Sequence, residues 1–140
     1  MMDNKTKSDI CKYEMLKAQS SLTEAIILFE AEQYPGAANR SYYAVFHAMT
    51  ATLILDDIAM SKHAGVISKF REQYIKTHVF ENEMSDWITA LFQLRTECDY
   101  DCFYVVSKQD VKEQLNNAAK MIEKLKEYTD SRLKSNAENQ

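Results

Sequence analysis

Glycine and proline are nearly missing from this chain, which has two of the first and one of the second in 140 residues. Hairpin turns draw on residues that accept positive φ or preset it, so this scarcity excludes an architecture of many strands and tight turns. Long apolar runs are absent too. None approaches the roughly 20 residues needed to cross a bilayer, so the Ile26-Ile27-Leu28-Phe29 run is expected on an interior helix face and no membrane role is expected. Positive charge is also short, with 17 Lys and Arg against 21 Asp and Glu and a formal net charge of -4. The molecule as a whole cannot cast the long-range positive field by which most nucleic-acid binders collect phosphates. A local basic site that meets only a few phosphates remains compatible with that balance. Cys11, Cys98 and Cys102 are an odd set, and residues 1–12 contain no apolar leader-like segment, so the expected setting is a reducing cytoplasm.

What is present in quantity is helix-forming sequence. Ala, Leu, Lys, Glu, Gln and Met fill the intervals between the few breakers. Met15, Ala18, Leu22, Ala25 and Phe29 recur in steps of three and four, predicting a first long helix that ends near Tyr34-Pro35-Gly36. Pro35 is tolerated in a first turn, where its missing N–H would have had no partner, so a second helix is expected from there to about Asp56. Ser61 is the expected N-cap of a shorter third helix through Val66, Ile67, Phe70 and Tyr74, with a connection near Thr77-His78. Met84, Trp87, Ile88, Leu91, Leu94 and Cys98 predict a fourth helix that ends in the acidic, aromatic segment 97–104. Ser107 and Asp110 have capping-box spacing ahead of Val111, Leu115, Ala118, Ile122 and Leu125, predicting a fifth. The fold class is therefore all-α, an up-and-down helical bundle of four long helices with a short accessory helix. One domain over residues 1–130 is expected, with 131–140 a frayed tail.

Arg40 and His47 are the pair with chemistry in it. Seven positions are nearly two helical turns, so the two side chains share a face about 10 Å apart along the axis. A guanidinium can hold phosphoryl oxygens through its planar fork, and an imidazole can move a proton near neutral pH. The competing structural reading makes Arg40 one half of an ion pair and His47 the filler of a polar gap between helices. Tyr43 lies on the same face, as a base or phosphate contact or as an aromatic core position with a satisfied hydroxyl. Arg95 and Tyr100 reach that cleft only if the bundle brings the fourth helix alongside, and are otherwise expected in contacts with the Asp99-Tyr100-Asp101 segment or the helix end. Cys98 and Cys102, with His63 and His78, match no zinc spacing, and Gly36 and Gly65 stand alone rather than in a phosphate loop. No metal or cofactor is expected.

The segments 37–48 (Ala-Ala-Asn-Arg-Ser-Tyr-Tyr-Ala-Val-Phe-His-Ala), 62–67 (Lys-His-Ala-Gly-Val-Ile), Leu94-Arg95 and Asp99-Tyr100 occur in an order that resembles the HEPN-domain family. The resemblance covers most of the chain, from the first helix to about Tyr128. It implies a compact helical bundle, often dimeric, in a family of metal-independent RNases and noncatalytic companions of minimal nucleotidyltransferases. The nuclease members use an Arg-x4-6-His motif, which falls here on Arg40 and His47 with six residues between them. Such members often carry Asn, Asp or His directly after the arginine; this chain has Ser41 there, with Asn39 on the other side. In some toxin-type relatives a Tyr two positions after the histidine receives a nucleotide, and Met49 occupies that position here. RNA or a nucleotide, a nucleotidyltransferase and a second copy of the chain are the partners so implied.

Overall fold

The second helix is the axis on which the other helices are hung. A computed structural model describes residues 2–100 and 105–138, without the side chain of Tyr100. Helix α1 spans Asn4–Glu30, α2 Tyr34–Ile54, α3 His63–Phe70, α4 Asn82–Tyr100 and α5 Lys108–Glu138, and no strand occurs among the described residues. The all-α bundle of four long helices and one short one is therefore what forms. Helix α2 packs against α1, α3, α4 and α5, and Tyr42, Val45, Met49 and Leu53 are all but sealed from solvent. They meet Met15, Phe70, Tyr74, Met84, Ile88, Leu91, Met121 and Leu125 in one core. Each large apolar side chain so buried contributes about 1.5–3 kcal/mol before the entropy of ordering is subtracted.

The turn between α1 and α2 falls earlier than the proline and glycine suggest. Gln33 N–H donates to Leu28 O at 2.8 Å and Glu32 N–H to Phe29 O at 3.0 Å, the paired bonds of a Schellman cap. Glu32 carries the left-handed φ of 61° that this cap requires. Pro35 then sits inside the first turn of α2, as its missing donor allows. Asp57, at φ 61°, closes α2 by the same pair of bonds, from Asp57 to Ile54 and from Ile58 to Leu53.

Four further details depart from the sequence reading. Ile26 and Ile27 are 42% and 59% exposed, because the inward stripe of α1 runs through Ala18, Ser21 and Ala25 and turns those two outward. The residue preceding α3 is Lys62 rather than Ser61, and no side chain caps it. Helix α3 widens into a π-helical turn over Arg71–Ile75, closed by Lys76 N–H donating to Arg71 O. Helix α5 continues to Glu138, past the point where its apolar stripe fades. Ser107 does cap it as its spacing predicts, accepting from Asp110 N–H at 3.0 Å. Cys102 lies outside the described residues.

A polar clamp holds the far end of α2. The Arg132 guanidinium donates to Asp56 Oδ1 at 2.9 Å, to the Tyr128 hydroxyl at 2.8 Å and to Leu55 O at 3.4 Å, while Tyr74 donates to Asp56 Oδ2 and to Thr52 O. A cation at a helix C-terminus also meets its negative dipole end. Burial alone would raise the Asp56 carboxyl, but the hydrogen bonds from Arg132 and Tyr74 outweigh it and hold the group below its ordinary 3.8. Its contribution to stability is therefore complete above that value and drains away as pH falls through the lower folded value. Asp56→Asn should destabilise the fold by about 1–3 kcal/mol at neutral pH and remove that part of the acid-induced loss, read as urea midpoints across pH 2 to 7. Glu32→Gly should do the reverse and stabilise by about 1 kcal/mol, measured by thermal melting, since only glycine enters the left-handed region without penalty.

Candidate functional site

Between Asn39 and Thr50, helix α2 leaves only Asn39, Arg40, Tyr43, His47 and Thr50 in part open to solvent, and every other side chain is buried. Positions 40, 43, 47 and 50 are spaced three, four and three apart, which is one stripe of a helix. Helix α1 flanks the stripe on one side, α3 and α4 on the other.

Glu14 and Glu24 come from α1. His47 Nδ1–H donates to Glu14 Oε2 at 2.8 Å, with both side chains mostly buried. A carboxylate on Nδ1 fixes the ring and leaves Nε2 as the nitrogen that exchanges a proton. The Arg40 fork donates through Nε and Nη2 to Asn39 Oδ1 at 3.1 and 2.8 Å, Nη1 lies 3.6 Å from Glu24 Oε2, and the guanidinium covers the Tyr43 ring at 5.0 Å. Ser41 turns away from all of this. It is fully buried and donates back to Ala37 O, so the polar neighbour that Arg40 uses is Asn39.

Arg95 does enter from α4. Its Nη2 donates to the Tyr43 hydroxyl at 3.2 Å, its Nε lies 2.8 Å from Asp99 Oδ2, and its guanidinium sits 5.4 Å from both the Tyr42 and Tyr43 rings. Asn39 donates to the same Asp99 oxygen at 3.2 Å, tying α2 to α4. Tyr43 is thus a half-buried bridge between two guanidiniums, its face to Arg40 and its hydroxyl to Arg95. Tyr100 ends α4, and its side chain lies outside what is described.

The residue that sequence reasoning left aside is His63, the first residue of α3. Its Nδ1 is 2.9 Å from the Tyr42 hydroxyl, and its ring stacks on Phe46 at 4.3 Å and meets the Tyr43 ring edge-on at 5.4 Å. Phe46 also touches the His47 ring, at 5.7 Å. Burial, and then the Arg95 guanidinium and the neighbouring His47, push the His63 imidazole below its ordinary 6.5. Burial likewise pushes the Tyr42 phenol up to about 12. The signal for His63 lay in its place within the 62–67 segment, whereas nothing in the sequence marked Glu14 and Glu24 before the register of α1 on α2 was known. Among the described residues, no three His, Cys, Asp or Glu side chains converge as metal ligands would.

An imidazole and a guanidinium thus share a partly open face of a helical bundle. The sequence model of the HEPN domain matches residues 12–128, and the chain belongs to that family. It is 30% identical over 112 residues to a protein of Methanocaldococcus jannaschii provisionally named a toxin, covering 80% of this chain and 76% of that one. A second protein of that organism, also provisionally named a toxin, is 37% identical over 83 residues, which is 59% of this chain and 62% of the other. A UPF0332 protein of Thermotoga maritima is 30% identical over 127 residues, covering 86% of this chain and 96% of the relative. No helix among the described residues is long and apolar enough to cross a membrane.

Arg95 is placed more as a pillar than as a reagent, with its fork spent on Asp99 and Tyr43 and its plane against two rings. Arg95→Ala should lower stability by about 1–3 kcal/mol in chemical denaturation, a larger effect in free energy than its effect on any turnover of the site.

Proposed function

We propose that this protein is an endoribonuclease of the toxin or defence type, with Arg40 and His47 as its catalytic pair. The observation that carries the reading is the single stripe of α2 between Asn39 and Thr50 that leaves both side chains partly open to solvent while the residues around them are buried. In the reaction, an RNA 2'-hydroxyl attacks the adjacent phosphorus. The O2'–P bond forms and the P–O5' bond breaks, giving a 2',3'-cyclic phosphate and a 5'-hydroxyl. His47 exchanges the proton through Nε2, and Arg40 steadies the charge that builds on the phosphoryl oxygens. The scheme needs no metal, because the nucleophile is part of the substrate. DNA lacks it and should resist cleavage. In a homodimer two such faces would divide the work, one histidine taking the proton and its counterpart returning one to the leaving oxygen. Acid–base work of this kind contributes roughly 10²- to 10⁴-fold, which fits a slow enzyme held in check by a partner.

A second reading is favoured by the fork of Arg40 resting on Asn39 and Glu24 and by the net charge of -4. In it the chain is a noncatalytic module that binds a nucleotide or a minimal nucleotidyltransferase. Purified protein with a chelator present should cleave RNA and spare DNA of the same sequence, and Arg40→Ala or His47→Ala should each lower the rate by at least about 100-fold. Equal rates in all three proteins remove the catalytic pair. Intact RNA together with a stable complex with a nucleotidyltransferase selects the second reading.

A further inference from the structure

The hydrogen bond between Tyr42 and His63 has a direction that the surroundings decide. Tyr42 is 1% exposed, and His63 Nδ1 is the only hydrogen-bond partner its hydroxyl has among the described residues. Were Nδ1 to carry the proton and donate to the phenol oxygen, the phenol O–H would be left buried without an acceptor. Such an orphan costs about 1–3 kcal/mol. The phenol therefore donates to Nδ1, and the proton of the neutral imidazole is forced onto Nε2. A second proton on the ring is disfavoured at three places at once: the first turn of α3, whose dipole end is positive, the Arg95 guanidinium from α4, and His47 on α2. The Tyr42 phenol, pushed up to about 12 by burial, and the Tyr43 phenol are the other titratable groups against the ring.

We propose that His63 is a third working residue of the site, a neutral donor whose Nε2–H, aimed by Tyr42, receives an anionic phosphoryl oxygen of the bound strand. The proposal rests on the ribonuclease reading for its substrate class, an RNA phosphodiester. Three observations carry it. The His63 ring meets Tyr43, on which Arg40 lies, it stacks on Phe46, which touches His47, and nothing among the described residues accepts from its Nε2–H. The downward shift of the imidazole and the upward shift of the phenol agree with a ring that stays neutral and a phenol that keeps its proton. A neutral donor has a use here. It grips the anion without adding a third positive charge beside Arg40 and Arg95, and it does not compete with His47 for the proton in transit.

The test reads the tautomer directly. Long-range proton–nitrogen NMR on the 15N-labelled full chain at about pH 8 should show His63 as the Nε2–H form, and Tyr42→Phe should lose that fixed form. Titration with adenosine 3'-monophosphate should shift the Nε2 resonance. His63→Ala should weaken the binding of that nucleotide roughly 10- to 100-fold, the usual worth of a hydrogen bond to a charged acceptor. His63→Gln, which keeps an N–H donor, should recover part of it and serves if the alanine variant does not fold. An Nδ1–H tautomer, a wild-type protein whose Nε2 ignores the nucleotide, or unchanged affinity in both variants overturns the proposal. RNA left intact by a wild-type protein that meets the tautomer and binding expectations sinks the ribonuclease reading and leaves the donor role of His63 standing. Cleavage that depends on Arg40 and His47 while nucleotide affinity ignores His63 does the opposite.

Discussion

Burial of α2 is the constraint on which everything else rests. Four helices lean on it, so nearly every side chain between Asn39 and Ile54 must be small or apolar, or satisfy its polar atoms within the helix as Ser41 and Thr52 do by donating back to Ala37 O and Ala48 O. Only the stripe that no neighbour covers is free to carry charge. Arg40 and His47 stand on that stripe, which means that the same packing that excludes ions from the rest of the helix concentrates them there. The far end of α2 is secured differently, by Arg132 and Tyr74 on Asp56 and by Lys7 on Asp57. The helix is thus gripped by apolar packing along its length and by ion pairs at its C-terminus, which keeps the open stripe in a fixed register with α1 and α4.

That rigidity gives the site a division of tasks. Each basic or titratable group is oriented by polar partners: Glu14 for His47, Asn39 and Glu24 for Arg40, Asp99 and Tyr43 for Arg95, and Tyr42 for His63. Aromatic rings fill the spaces between them, and Tyr43 and Phe46 lower the local polarity in which those charges act. On the ribonuclease reading, a constellation held this way keeps its geometry before a substrate arrives, which is the condition under which electrostatic stabilisation is most effective.

Much of the fold was legible because helices write their period into sequence. The stripes of α1, α4 and α5, and the Ser107 cap, follow from spacing alone, as does the placement of Arg40, Tyr43 and His47 on one face. The turn at 31–33 was hidden because Glu32 takes a left-handed conformation usually given to glycine, while the visible Pro35 and Gly36 lie within α2. Ile26 and Ile27 misled because the small residues Ala18, Ser21 and Ala25 are what face α2, so that backbones approach closely and the larger side chains are turned outward. Of the site, the residues on α2 could be read, since a single helix orders them. Glu14, Glu24 and the links from His63 and Arg95 depend on how separate helices meet, and a linear pattern carries no such register. The likeness of segments 37–48 and 62–67 to the HEPN family supplied what periodicity could not.

Glu24 gives the resting site a last property. It is a half-exposed carboxylate 3.6 Å from the Arg40 guanidinium, on an acidic molecule, so the cation is already loosely answered from within its own chain. On the ribonuclease reading, an incoming phosphodiester would take that carboxylate's place on the guanidinium, and one such contact would release few of the cations condensed on the nucleic acid. With so few phosphate contacts, affinity should then fall only gently as ionic strength rises, unlike that of proteins that neutralise many phosphates at once. Selectivity in such a protein would rest on the fit of one phosphate among few contacts, and the acidic surface around it would turn away polyanions that cannot make that fit.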